Sequence, residues 1–281
     1  ATAPNTPSAT APNTPFATAP GAPFATTPTV DRALAPTART ADDDVAAARA
    51  IPHSSSAASV DVHLMSAPRR WRRALQALAK VMADPTQTDQ VLVFAVHANA
   101  GSMQRRIARF RSDPAGRRLI AERRTIDSRT IDLEALAALP ADTLGHAYAT
   151  FLRSRGLTPA VFDDAPPEVS DPTMGYVVQR LRQTHDLWHV VTGHDTDAGS
   201  EVALQAFTYA QLRAPSALIL ALFGTLRGLR LKPGLARDVL SAFRTGLRAE
   251  KLAAFPWEDH WATPLDDVRG WLGLPRSRAT A

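Results

Sequence analysis

From Asp171 to Gly193 the chain carries a pattern that only a helix satisfies: Met174, Val178, Leu181, His185, Trp188 and Val191 recur at spacings of three and four, the period of one helical face. Asp171-Pro172 supplies an N-cap with proline at the first helical position, and Gly193 supplies a stop. The stripe turns His185 toward the protein interior. After the polar turn His194-Asp195-Thr196-Asp197, a second pattern runs through Val202, Ala203, Ala206, Phe207 and Ala210, with Asp197 placed to cap it. The unit reads as an antiparallel helical hairpin.

The polar residues of this hairpin fall together. His185 and His189 are one turn apart on a single face, and Asp186 lies about 100° round from His185. His189 stands about one turn before the end of the first helix and Glu201 about one turn into the second. The return helix therefore brings Glu201 to the level of the histidines. Two imidazoles and two carboxylates make a mixed nitrogen and oxygen site suited to zinc or another divalent ion. With Cys 0, thiolate sites are excluded.

Helical periodicity continues elsewhere. Trp71, Leu75, Leu78 and Met82 form a stripe ended by Asp84-Pro85, and Leu144, Ala147, Tyr148, Phe151 and Leu152 form another, ended by Gly156. Further helices are expected around Val91–Ala98, Met103–Phe110, Ala115–Arg123 and Leu133–Ala138, and Thr263-Pro264 opens a last one with Val268 and Leu272 inward. "VLVFAV" (Val91 to Val96) is the one run that could equally be a strand. The expected fold class is all-α, a helical bundle with the metal-binding hairpin near its centre.

The first quarter of the chain is different. "ATAPNTPS", "ATAPNTPF" and "ATAPGAPF" repeat an octapeptide, and proline at that frequency prevents helix and sheet. Residues 1–66 are expected to be a disordered Pro/Ala/Thr-rich arm and linker, with one short helix around "DDDVAAARAI". Residues 67–281 are expected to be the folded domain. Ala1 to Val30 holds no basic residue and no continuous apolar segment, which fits neither a secretory nor a mitochondrial leader. The most apolar stretch, "PSALILALFG" (Pro215 to Gly224), is far shorter than the roughly twenty residues of a membrane span and reads as a buried core helix.

The net charge of +5 comes from arginine, since only Lys80, Lys232 and Lys251 are lysines. "PRRWRRALQALAKVM" (Pro68 to Met82) joins four arginines to an apolar stripe, which fits equally a helix lying on a membrane surface and a core helix with a solvated arginine edge. Nucleic acid is not an expected partner, because no reading motif accompanies the arginine pairs. There is no cysteine nucleophile, Gly-x-Ser-x-Gly elbow, phosphate loop or dinucleotide-binding fingerprint.

His185, Asp186, His189 and Glu201 form His-Asp-x-x-His, eleven residues, then Glu. This resembles the metal motif of the ubiquinone (coenzyme Q) biosynthesis protein family Coq-four. "DPAGRRLIAERRTI", "LPADTLGHAYATFLRSRGLTP", "GYVVQRLRQTHD" and "WEDHWATPLDDVRGWLG" resemble family blocks in the same order, so the likeness runs from about Arg69 to Pro275. The chain departs from the family in having Arg182-Gln183 where an Arg-Glu pair is common, and Ser200 where a glycine is common.

The resemblance implies a carboxy-lyase: removal of the carboxylate at ring carbon 1 of a polyprenylated 4-hydroxybenzoate intermediate, with or without hydroxylation there. It implies a divalent metal cofactor, zinc first, and prenyl-lipid binding, with "PSALILALFG" as a lipid-tail slot. Arg180 and Arg182 are candidate carboxylate anchors. The implied partners are a polyprenylated aromatic quinone precursor, the membrane surface, and a quinone-biosynthesis complex or a second copy of the chain. The expected location is peripheral, on the cytoplasmic side of a membrane in a bacterial-type cytoplasm. Two other readings remain open: a non-catalytic lipid-binding scaffold, and a metal phosphohydrolase, which would need further ligands such as His146 or His97.

Overall fold

The computed structural model describes residues 62–84, 87–163, 169–230 and 232–276. Of the expected arm, residues 1–61, with the short helix, lie outside them; residues 62–66 are described, and Val62 is buried against Val96 and Ala100. The described residues form helices joined by short connections, with a single isolated bridge between Thr143 and Pro264. In chain order the helices are α1 (Ala67–Ala83), α2 (Thr88–Asn99), α3 (Met103–Ser112), α4 (Pro114–Glu122), α5 (Leu133–Ala137), α6 (Leu144–Ser154), α7 (Pro172–Gln183), α8 (His185–Thr192), α9 (Ala198–Leu212), α10 (Pro215–Gly228), α11 (Leu235–Arg248) and α12 (Leu265–Trp271). The all-α expectation holds, and "VLVFAV" is helical, inside α2.

Local chemistry sets most boundaries. The side chains of Asp113, Asp132, Thr143, Asp171 and Asp197 each accept a backbone N–H at the start of their helix, satisfying donors that have no partner within the helix. Gly193 ends α8 with φ +74°, where a Cβ would be strained.

The helix expected from Asp171 to Gly193 is interrupted at Thr184. This buried residue has φ −94° and ψ −2°, and both its N–H and its hydroxyl donate to the Arg180 carbonyl, each at 3.0 Å. A threonine bonded back to the preceding turn competes with the ladder and bends the helix. The chain thus leaves α7 and restarts as α8 at His185.

The largest core cluster gathers Tyr148 and Leu152 of α6, Leu187, Trp188 and Val191 of α8, Leu204 and Phe207 of α9, Ala242 of α11 and Val268 of α12. Trp188 meets Phe207 edge to face with ring centroids 6.0 Å apart, so the two helices of the hairpin touch through side chains. Buried Arg269 of α12 donates from Nε to the Val191 carbonyl at 2.9 Å and from Nη2 to the Val190 carbonyl at 3.0 Å. These are C-terminal carbonyls of α8 that would otherwise lack partners, so α12 holds the end of the helix that carries both histidines.

The stripe expected on α1 divides. Leu78 is buried and Met82 half-buried, but Trp71 and Leu75 are exposed, and Ala74 and Ala77 take the inward positions. Close approach to α2 selects small residues on the inside.

Candidate metal centre

His185 opens α8, His189 follows one turn later, and Glu201 lies in the first turn of α9. One donor atom from each falls within 4.8 Å of the others. His189 Nε2 is 3.3 Å from His185 Nε2 and 3.2 Å from a Glu201 oxygen, and His185 Nε2 is 3.9 Å from the other oxygen. Zinc binds nitrogen and oxygen at about 2.0–2.2 Å, and two tetrahedral ligands at that length stand about 3.3–3.6 Å apart. The three donors therefore fit a divalent ion with little adjustment.

Their orientation is held from behind. His189 Nδ1 lies 3.0 Å from the His194 carbonyl, which can only accept, so Nδ1 carries the proton and Nε2 presents its lone pair to the site. The His189 side chain is 1% exposed, whereas those of His185 and Glu201 are each 36% exposed. The expectation of an inward His185 is met only by half: His189 is the buried ligand, and His185 stands at the opening.

Protonation suits a cation at His185 and Glu201, whereas His189 must give up a proton from Nε2 to bind one. Burial, then His189, lowers His185 to about 4. Burial alone would lower His189, but its hydrogen bond to Glu201 and the Glu201 charge outweigh that and raise it. Burial works against an ionised Glu201, yet the His189 hydrogen bond and charge hold it below its ordinary value.

Asp186 stands outside the close set of donors. It is half-buried, burial pushes it up to about 6, and its charge acts on Tyr148 of α6. One step of about 100° from His185 accounts for the separation.

A cleft of about 510 Å³ adjoins His189, lined among others by Thr150, Phe151, Ser154 and Arg155. Phe151 stacks on His189 with centroids 5.4 Å apart, and the Arg155 guanidinium lies 3.9 Å over Phe151. Arg155 also pairs with Asp195 and donates to Thr196 Oγ1 at 3.2 Å. One arginine thus binds the hairpin turn to α6. The sequence offers no local signal for Arg155 as the link to the turn, because its partners there lie forty and more positions away.

Arg180 and Arg182 do not stand free as carboxylate anchors. Arg180 is buried and bidentate on Glu258, and Arg182 donates to Gln179 at 3.0 Å. His97 and His146 do not join the donor set; their Nδ1 atoms bond to the carbonyls of Val93 and Ala137. The two departures from the family pattern have structural uses. Gln183 Oε1 accepts the Ile126 N–H at 3.2 Å, and Ser200 donates its hydroxyl to Asp197.

Asp197 also accepts the N–H groups of Gly199 and Ser200 and lies 3.3 Å from the Lys232 ammonium. The Ser200 hydroxyl, ahead of the other contacts, brings it down to about 2. Asp197→Ala is expected to cost about 1 kcal/mol, and no more because the carboxylate is half exposed. The folded value lies below the roughly 3.9 of an unfolded aspartate. The contribution is therefore complete above about pH 4 and lost as pH falls toward 2. Urea midpoints of parent and variant should differ at pH 7 and converge at pH 2–3; a gap that widens in acid contradicts this.

The profile of the family described as "Coenzyme Q (ubiquinone) biosynthesis protein Coq4" matches residues 62–277. The chain is 34% identical over 167 residues to the mitochondrial ubiquinone biosynthesis protein COQ4 of Coprinopsis cinerea, covering 58% of this chain and 56% of that one. It is 32% identical over 200 residues to that of Laccaria bicolor, covering 69% and 65%. These two fungal relatives are thus matched over little more than half to about two thirds of their own length. The mitochondrial COQ4 homolog of Drosophila ananassae is 31% identical over 201 residues, covering 69% of this chain and 73% of that one.

A crystal structure of a Nostoc punctiforme protein, named for ubiquinone biosynthesis, superposes with a TM-score of 0.60 at 29% identity, covering 72% of this chain and 97% of that one. Mitochondrial relatives speak against the expected bacterial-type cytoplasm. Among the described residues, no helix is long and apolar enough to cross a membrane. Fold, motif and relatives agree: the chain belongs to the Coq4 family of coenzyme Q (ubiquinone) biosynthesis proteins.

Proposed function

We propose that the protein acts in ubiquinone biosynthesis as a metal-dependent carboxy-lyase, removing the carboxylate at ring carbon 1 of a polyprenylated 4-hydroxybenzoate intermediate. The observation that carries this reading is the three-donor set of His185, His189 and Glu201. Three protein donors with two of them half exposed leave room for a further ligand, as catalytic sites do and closed structural sites do not. When bound there, a divalent ion would supply Lewis acidity toward the ring's carboxylate or phenolic oxygen.

The chain's own residues do the remainder. His189, fixed through the His194 carbonyl, aims its lone pair, and ionised Glu201 supplies the negative charge that balances the cation. The cleft beside His189, lined on α6 by Ala147, Thr150 and Ser154, offers space for a ring next to the ion.

Neither His97 nor His146 adds to the donor set, so the phosphohydrolase reading has no support in the geometry. The decisive experiment is release of carbon dioxide from a prenylated 4-hydroxybenzoate by the purified, zinc-loaded protein, abolished by chelation and restored by metal. Binding of that substrate without turnover under any divalent ion would favour the scaffold instead.

A further inference from the structure

His189 owes its aim to an atom outside its own helix. The His194 carbonyl, 3.0 Å from His189 Nδ1, stands past the left-handed stop at Gly193, in the turn His194-Asp195-Thr196. Arg269 fixes the last carbonyls of α8 at Val190 and Val191, and Asp197 fixes the start of α9 through the N–H groups of Gly199 and Ser200. Neither reaches the turn between them. Asp195 and Thr196 are exposed, so burial does little to hold it.

The guanidinium of Arg155 makes the missing connection, and it uses all three nitrogens to do so. Nε donates to Thr196 Oγ1 at 3.2 Å and Nη2 pairs with Asp195. Nη1 donates to the Phe151 carbonyl at 3.2 Å and to the Ser154 hydroxyl at 2.9 Å, both on α6. Its Cζ lies 3.9 Å from the centroid of the Phe151 ring, whose stacking on His189 puts the centroids 5.4 Å apart. One planar group on α6 therefore locates both the imidazole and the turn that orients it.

We propose that Arg155 is a positioning residue of the metal centre: through Asp195 and Thr196 it fixes the turn whose His194 carbonyl aims His189, and so it sets the affinity of the site for a divalent ion. Asp195 is 65% exposed, and ion pairs so open to water add little stability; what this one supplies is geometry. Disturbing the partner behind a metal-bound histidine weakens binding about 10–100-fold. Arg155 acts one contact further out, which sets the expectation at the lower end of that range. Lysine has a single nitrogen and no planar face, so it cannot serve the turn, the α6 carbonyl and Phe151 together. The inference rests on the metal reading of His185, His189 and Glu201, and not on the reaction proposed for them.

The test is zinc affinity of the full chain, measured by competition with a chromophoric chelator, beside the urea midpoint of the metal-free protein. Arg155→Ala and Arg155→Lys should each raise the zinc Kd about tenfold while the metal-free midpoint stays close to that of the parent. Asp195→Ala combined with Thr196→Val removes the same contacts from the exposed side and should weaken zinc to the same extent. Adding Arg155→Ala to that pair should cost nothing more, because all three residues act through one connection. Parent-like zinc affinity in Arg155→Ala overturns the proposal, as do additive losses or a loss of affinity matched by a lowered metal-free midpoint. A parent that binds no zinc removes the metal reading and this inference together, whereas a parent that binds zinc no more tightly than Arg155→Ala removes this inference alone.

Discussion

Arg180→Met is expected to destabilise the fold by about 3–5 kcal/mol, because it leaves Glu258 with a desolvated charge and no partner. Arg180 of α7 is fully buried and bonded through both terminal nitrogens to Glu258 and through Nη2 to the Phe255 carbonyl at 3.2 Å. Glu258 itself is only 12% exposed. The cost of removing one member is the cost of the orphaned one, so the double variant Arg180→Met with Glu258→Leu should recover most of the loss. Urea denaturation of the parent, both single variants and the double variant supplies the comparison. A single variant within about 0.5 kcal/mol of the parent would mean that water reaches the pair.

His189→Ala should remove the bound ion. This side chain is the buried member of the set, the one held from behind by the His194 carbonyl, and the one whose nitrogen lies within 3.3 Å of both other donors. Losing even a supporting partner of a metal ligand costs about 10–100-fold in affinity, and losing the ligand itself should exceed that. Elemental analysis after dialysis against a weak chelator, read beside far-UV circular dichroism, separates loss of metal from loss of fold. Full occupancy in a well-folded variant would refute the assignment. Asp186→Asn is the informative companion: lying outside the close donor set, it should retain metal far better than His189→Ala.

Much of this protein could be read along the chain. Helix starts at Asp171 and Asp197 and the stop at Gly193 are short-range chemistry, a side-chain oxygen or a positive φ acting within a turn. The inward stripes on α6 and α12 follow from periodicity, and the return of Glu201 to His189 follows from counting residues around a known turn. Those features needed no knowledge of what packs where.

Other features depended on packing partners. Whether Arg180 anchors a substrate or neutralises Glu258 turned on a residue 78 positions away. Thr184 interrupts the helix where its hydroxyl, beside its N–H, bonds back to the Arg180 carbonyl. Arg155 gains its place from Asp195 and Thr196, and Asp186 parts from the histidines because one residue of rotation, measured in the finished site, carries it toward α6.

The most apolar helix illustrates the division best. "PSALILALFG" reads as core in sequence, since a hydrophobic run carries no label for inside and outside. The neighbours decided it: Val202 of α9 and Leu235 of α11 come so close that only glycine fits at 224 and 228, Ile219 and Leu220 pack half-buried against the α1–α2 cluster, and Leu222, Phe223 and Leu226 are left exposed. Periodicity determines which residues share a face; the distance to the next helix determines which face is buried.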